Sequence, residues 1–212
     1  RIGKNCNIFP GAVIGAIPQD LKYKGEKTKV VIGDNTTVRE FVTINKGTAA
    51  RYKTTVGNNC LLMAYVHVAH DCAIKDHAIL VNSVQLAGEV KVDEWAIIGG
   101  TAAIHQFVHV GAHSMVAGGA LVAKDVPPYT KAARYPLSFA GVNSIGLRRR
   151  NFSSKKINEI QEIYRILYKN GMNRTQALEY IEAEMPATKE RDEIILFAKN
   201  SKRGIMKGYF EN

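Results

Sequence analysis

The sequence predicts a β solenoid of hexapeptide coils followed by a small helical domain, on three observations. An aliphatic residue recurs every sixth position, a column of small or β-branched residues runs in phase with it, and the spacing turns helical after residue 128. Counted from Val56, the first column is Val56, Leu62, Val68, Ile74, Leu80, Leu86, Val92, Ile98, Ile104, Val110, Val116 and Val122, without a break. Four positions further on in each hexad stand Cys60, Val66, Cys72, Ala78, Val84, Val90, Ala96, Ala102, Val108, Ser114, Ala120 and Val126. An amphipathic helix repeats at about 3.6 residues and a strand at 2, so a sustained period of six belongs to neither element alone. It is the signature of a hexapeptide repeat. Each hexad supplies a short strand and a turn, three hexads close a triangular coil, and coils stack at ~4.8 Å with the columns inside. The register also holds at Ile2, Ile8 and Ile14, and at Ile32, Val38 and Ile44, with loops expected to leave the prism at about residues 18–28 and 49–54.

The repeat stops at Pro127-Pro128, which divides the chain into a solenoid domain over 1–128 and a linker with a helical domain over 129–212. Ile157, Ile160, Tyr164 and Leu167 share one helical face, and Gly171 ends that helix. Asn173 with Gln176 three residues later forms a capping box for a second helix carrying Ala177, Leu178 and Ile181. Thr188 caps a third, with Ile194, Ile195 and Phe197 turned inward.

Composition narrows the class. The three cysteines, Cys6, Cys60 and Cys72, are odd in number and without a C-x-x-C pair, which speaks against a disulfide framework or a zinc ribbon and for a reducing, cytoplasmic setting. Cys60 and Cys72 fall in the small inward column, where packing explains them better than reactivity. The longest apolar stretch, 60–66, is far short of the ~20 residues a membrane span needs. Arg1 stands where a start methionine is expected, so the chain reads as a fragment or a processed product, and a fragment would lack N-terminal coils. The net charge of +10 invites a nucleic-acid reading. Much of the excess lies after residue 130, in Arg148, Arg149, Arg150, Lys155 and Lys156, with no nucleic-acid-binding signature beside it, so an acidic protein or a phosphorylated small molecule fits better.

The chemistry lies on one column of the coil. The stretch from Ala64 to Cys72 places His67, His70 and Asp71 where the repeat does not require them. For a single histidine a solvated turn is the ordinary explanation. Counting by eighteen aligns Gly88 with His70 and His105 with Ala87, so His67, His70, Gly88, Glu89, His105 and Gln106 make a polar strip. A glycine beside a histidine leaves its N–H unshielded, as an oxyanion donor requires, and a base next to such a donor suggests acyl transfer.

At these residues the chain resembles the UDP-N-acetylglucosamine O-acyltransferase family that begins lipid A synthesis. The likeness rests on residues 67–71, Leu86-Ala87-Gly88, Ile98-Gly99-Gly100, His105-Gln106-Phe107, Asp125-Val126-Pro127-Pro128-Tyr129, Gly141-Val142-Asn143, the run from Leu147 to Arg150, and Gln19-Asp20-Leu21-Lys22-Tyr23. It implies a left-handed coil, although general chirality rules favour right-handed crossovers. It further implies His70 as general base on the sugar 3-hydroxyl, Asp71 orienting it, and the Gly88 N–H holding the oxyanion. The donor is a long (R)-3-hydroxyacyl chain on acyl-carrier protein, the acceptor UDP-N-acetylglucosamine. The resemblance assigns His67, Asp20, Lys22, Gln106, Asn143, Arg149 and Arg150 to the nucleotide sugar, and Asn82, His105 and Gly118 to the acyl or pantetheine path, Gly118 leaving room for a long chain. It implies a homotrimer, no cofactor and no metal. Glu89 departs from it, since relatives carry histidine after the oxyanion glycine.

Three rival readings share parts of this pattern. A lipid A N-acyltransferase would use the same prism and histidine but with an additional N-terminal domain. A β-helical carbonic anhydrase needs three imidazoles on zinc, yet His105 stands two coils from His70, ~9.6 Å away. A non-enzymatic scaffold is allowed by the fold but leaves the polar strip without a purpose.

Overall fold

The computed structural model describes residues 1–169 and 171–208. From Leu61 to Val122 each hexad contributes one two-residue strand, such as Leu61–Leu62, His67–Val68 and Ala73–Ile74. Strands eighteen residues apart pair in parallel, with Ile79 opposite Ile97, Gln85 opposite His67 and Lys91 opposite His109. Three sheets result, one per face of a triangular prism.

The two columns form its core. No residue from Val56 to Val122 in the aliphatic column is more than 2% exposed, and the companion column stays at or below 8%. Ser114, the one hydroxyl there, donates to the Gly111 carbonyl at 2.7 Å and is thereby satisfied. Every corner from Asn59 to His113 carries a non-glycine residue at a φ between 54° and 66°. An L residue pays about 1–2 kcal/mol for that conformation, and it persists because the coils above and below dictate the turn. Asp71 and Glu89 are corner residues of this kind, so their backbone shape belongs to the repeat.

Ile2 and Ile8 are 46% and 43% exposed, whereas Ile32, Val38 and Ile44 in the coil beyond them are buried. The first loop leaves the prism between Ala16 and Lys29. The second occupies residues 46–52, so Lys53 and Thr54 are not in it. They pair with Lys29 and Val30 in a strand extended to Lys53–Val56, which corrects the expected 49–54 loop.

The prism also runs past Pro127-Pro128. Thr130–Ala133 pairs in parallel with Met115–Val116, placing Ala132 opposite Val116 at a spacing of sixteen, which counting by eighteen overlooks. Ser138–Val142 then turns back antiparallel, and Lys207–Gly208 closes on it. Four helices follow: α1 (Ser144–Arg149), α2 (Ser154–Lys169), α3 (Arg174–Glu184) and α4 (Lys189–Asn200). Asn173 and Gln176 form the expected capping box, and the Thr188 hydroxyl accepts from the Arg191 N–H. The six-residue α1 was not expected, since Leu147 is its one buried side chain and no periodicity can show. A second core built on Ile157, Ile160, Tyr164 and Ile181 seats the helices, and Tyr164 donates its hydroxyl to the Pro128 carbonyl at 2.6 Å.

Leu80, fully buried at mid-prism, tests the column: Leu80→Ala should lower unfolding stability by about 2–5 kcal/mol in denaturant titration. A loss under ~1 kcal/mol would mean that the column does not carry the stability.

Candidate active site

His70 lies at the corner that follows the strand His67–Val68, and its Nδ1 is 2.9 Å from Asp71 Oδ2. Asp71 is fully buried. A buried carboxylate is costly unless its oxygens are saturated with donors, and the second loop supplies them. Thr48 donates its N–H to Oδ1 at 3.0 Å and its hydroxyl to Oδ2 at 2.6 Å, and the Arg51 N–H reaches Oδ1 at 3.2 Å. The Asp71 N–H in turn donates to Thr54 Oγ1 at 2.8 Å. Gly47 makes this wrap possible, since a Cβ there would lie 2.4 Å from the Lys53 nitrogen and 2.8 Å from Asp71 Oδ1.

With a carboxylate as its neighbour, His70 Nδ1 carries the hydrogen and Nε2 keeps its lone pair. That lone pair faces Gly88, one coil up. A Cβ on Gly88 would stand 2.5 Å from His70 Nε2, so no side chain fits between them. The Gly88 carbonyl accepts from Phe107 and the Glu89 N–H donates to the His70 carbonyl. His70 and the unshielded glycine are therefore tied together by the ladder itself.

A shallow cavity of about 300 Å³ opens here, lined by Gln19, His67, His70, Gln85, Ala87 and neighbouring aliphatics. His67 Nδ1 is 2.7 Å from the Thr43 hydroxyl, and burial holds its imidazole below the usual pKa, so it is neutral at pH 7. His105 and Gln106 are exposed on the same face two coils above His70. Cys72 packs inward, with Sγ 3.1 Å from the Ala87 carbonyl, and burial pushes its thiol up to about 12, so it is no nucleophile. Among the described residues no group of three His, Cys, Asp or Glu side chains is placed to hold a metal ion.

The remaining expected site residues lie elsewhere. Asp20 accepts from the Lys22 N–H at 2.9 Å within the first loop, Lys22 is exposed, and it is Gln19 that reaches the cavity. Asn82 and Gly118 stand in one column two coils apart, at the opposite edge of the His70 face, where Gly100 packs between them. Asn143 is 3% exposed and caps α1: its Oδ1 accepts from the Gly146 N–H and its Nδ2 donates to the His113 carbonyl at 2.9 Å. That cap is a structural use the sequence did not reveal for it.

Arg149 is exposed, whereas Arg150 folds back on another corner of the prism. There His77 and Trp95 stack at 4.0 Å, and His113 and Tyr129 continue the column. The Arg150 guanidinium lies 5.3 Å from the Trp95 ring and donates to the Trp95 carbonyl at 3.0 Å. Burial lowers its pKa, and Nη1 is buried without a partner among the described residues.

Thr43, Thr48, Thr54 and Arg51 were missed from the sequence. Thr43 aligns with His67 at the ladder position below it, at a spacing of twenty-four because the second loop intervenes, so counting by eighteen misses it; Thr48 and Arg51 sit in a loop without period.

A triangular prism carrying a His–Asp pair over an unsubstituted glycine defines a hexapeptide-repeat acyltransferase. Residues 53–88 match the model of the bacterial transferase hexapeptide repeat, and residues 125–206 match domain 2 of the UDP N-acetylglucosamine O-acyltransferase. An acyl-[acyl-carrier-protein]–UDP-N-acetylglucosamine O-acyltransferase of Burkholderia lata is 42% identical over 97% of this chain and 80% of its own length. Among solved structures, the UDP-N-acetylglucosamine acyltransferase of Bacteroides fragilis superposes with a TM-score of 0.96 at 53% identity, covering 98% of this chain and 81% of that one. The Francisella novicida enzyme gives 0.92 at 41% identity, covering 96% and 75%. The chain belongs to the UDP-N-acetylglucosamine O-acyltransferase family, and its β-helix is left-handed.

Gly88→Ala should push the His70 imidazole off its position and lower kcat/KM by about 10²-fold, the scale of a 1 Å misplacement, with the thermal midpoint nearly unchanged. Activity within threefold of the parent would sever Gly88 from the chemistry.

Proposed function

We propose that the chain transfers a 3-hydroxyacyl group from acyl-carrier protein to the 3-hydroxyl of UDP-N-acetylglucosamine, the first step of lipid A synthesis, with His70 as general base. The observation that carries this is His70 Nε2 facing Gly88 while Nδ1 is held by the buried Asp71. Nε2 takes the hydroxyl proton as the sugar oxygen attacks the thioester carbonyl. The carbonyl oxygen gains the electron pair and is met by the Gly88 N–H. Collapse of the tetrahedral intermediate breaks the C–S bond, and the departing thiolate takes the proton from Nε2. Asp71 stabilises the transient imidazolium and never itself protonates. No metal or cofactor is needed for this balance. Oxygen rather than nitrogen as nucleophile is supported by the names of the matched relatives.

In this reading His67 and Gln106 flank the sugar on the His70 face, while Asp20 and Lys22 approach from the first loop. Asn82, His105 and Gly118 border the path of the acyl chain or pantetheine. Arg149 and Arg150 meet the diphosphate, for which the planar guanidinium is well shaped, and Asn143 sets the helix that carries them. The partnerless Nη1 of Arg150 supports its assignment.

The same residues call for a homotrimer. Arg150 stands on the His77–Trp95–His113 corner and His70 on the Asp71–Glu89–Phe107 corner. The corner residues are six positions apart, at most about 20 Å along an extended strand, on different edges of one prism. Substrate sites are concave, and the 300 Å³ hollow on one flat face is shallow. A neighbouring prism docked against that face adds the second wall and brings its own Arg150 to this chain's His70, and threefold symmetry repeats the site. We place the reaction in the cytoplasm; the three free cysteines fit a reducing compartment, and among the described residues no helix is long and apolar enough to cross a membrane.

With acyl-carrier thioester and UDP-N-acetylglucosamine as substrates, His70→Ala should lower the rate by roughly 10²–10⁴ and leave the melting curve in place. A variant keeping half its activity ends the assignment. The shared site has its own test: His70→Ala and Arg150→Ala chains, unfolded together and refolded as mixed oligomers, should regain activity that neither has when refolded alone. No recovery despite proven mixing, or a monomer in sedimentation, would remove the intersubunit site.

A further inference from the structure

Glu89 follows the glycine assigned to the oxyanion, and its carboxylate answers to no step of the reaction. A negative charge at that point opposes the chemistry twice, since it repels the developing oxyanion and favours the protonated form of His70. The structure places a cation against it. Arg51 Nε is 3.5 Å from Glu89 Oε2, with both side chains partly shielded, at 33% and 23% exposure. Arg51 comes from the second loop, the segment that saturates Asp71, and its own N–H is one of the Asp71 donors.

We propose that Arg51 is a positioning residue of the acyl-transfer site: it clamps and neutralises the Glu89 carboxylate, so that the Gly88 N–H and His70 work beside a balanced ion pair instead of a free anion. This rests on the assignment of His70 and Gly88 above. The clamp explains how this chain accommodates an acid directly after the glycine assigned to the oxyanion. His70 is faced by Asp71 from its own corner, by His67 across the cavity, and by the Arg51–Glu89 pair from the loop and the next coil. Only the pair changes net charge when Arg51 is replaced. The backbone N–H that holds Asp71 survives the substitution, so the dyad itself stays supported.

The test is a double-mutant cycle with acyl-carrier thioester and UDP-N-acetylglucosamine, read as kcat, KM and the pH profile, with melting curves to confirm folding. Arg51→Ala should lower kcat roughly tenfold or more, the size expected for one uncompensated charge in a partly shielded site, with KM for the sugar nearly unchanged. Its acid limb should move to higher pH, the direction in which an unpaired carboxylate shifts a neighbouring base. Arg51→Lys should retain most of the rate, and Arg51→Ala/Glu89→Gln should recover both kcat and the position of the acid limb. A double variant as slow as Arg51→Ala, or an Arg51→Ala enzyme with unchanged kcat and pH profile, overturns the clamp. Should Arg51→Ala fail to fold, Glu89→Gln decides instead: in an intact Arg51 background it should change kcat less than threefold, and a larger loss overturns the proposal. His70→Ala run alongside separates the outcomes, since retained activity there would mean that the site itself was misassigned.

Discussion

Coil-on-coil pairing at an eighteen-residue register is the constraint on which everything else depends. An inward residue every sixth position fills the prism axis, and the next coil's ladder takes up the backbone N–H and C=O groups of each turn. Because the turn is dictated from above and below, ordinary residues hold left-handed corners that would be costly in an isolated chain. From Val56 to Val122, where no loop interrupts the repeat, the prism is thus a rigid ruler on which a side chain's height and edge follow from its sequence number.

Catalysis uses that rigidity and then departs from it. The ladder presses His70 and Gly88 together across one coil, too close for any intervening Cβ. A coil by itself gives a corner acid no partners, and a fully buried carboxylate without donors is costly. The second loop removes that instability by folding Gly47, Thr48 and Arg51 over the carboxylate. Regular repeat and irregular loop divide the labour: the first positions His70 against Gly88, and the second surrounds the Asp71 carboxylate with donors.

The helical domain is joined to the ruler by specific contacts. Asn143 caps α1 while holding the His113 carbonyl, and Arg150 lies on Trp95 in the stacked corner column. Tyr129, at the end of that column, donates to Glu193 of α4, and Tyr164 of α2 donates to Pro128. A cation stacked on an aromatic ring and bonded to a carbonyl loses fewer rotamers on binding an anion than a free surface arginine does. The arginine run is thereby held at a prism corner where it would otherwise be a mobile surface segment.

The sequence by itself determined the solenoid, its two inward columns, and the alignment of His70, Asp71 and Gly88, because a period of six converts sequence separation into spatial position. Its capping rules also found the starts of α3 and α4, since a cap is decided within four residues. Tertiary structure alone decided the donors around Asp71, the pairing of Arg51 with Glu89, the bond from Asn143 to the His113 carbonyl, and the placement of Arg150 on Trp95. These contacts join residues 23, 38, 30 and 55 apart through loops and a short helix that carry no repeat. Where the period lapses, as at Ala132 and in residues 46–52, position follows from packing and hydrogen-bond demand, which no local pattern in the sequence encodes.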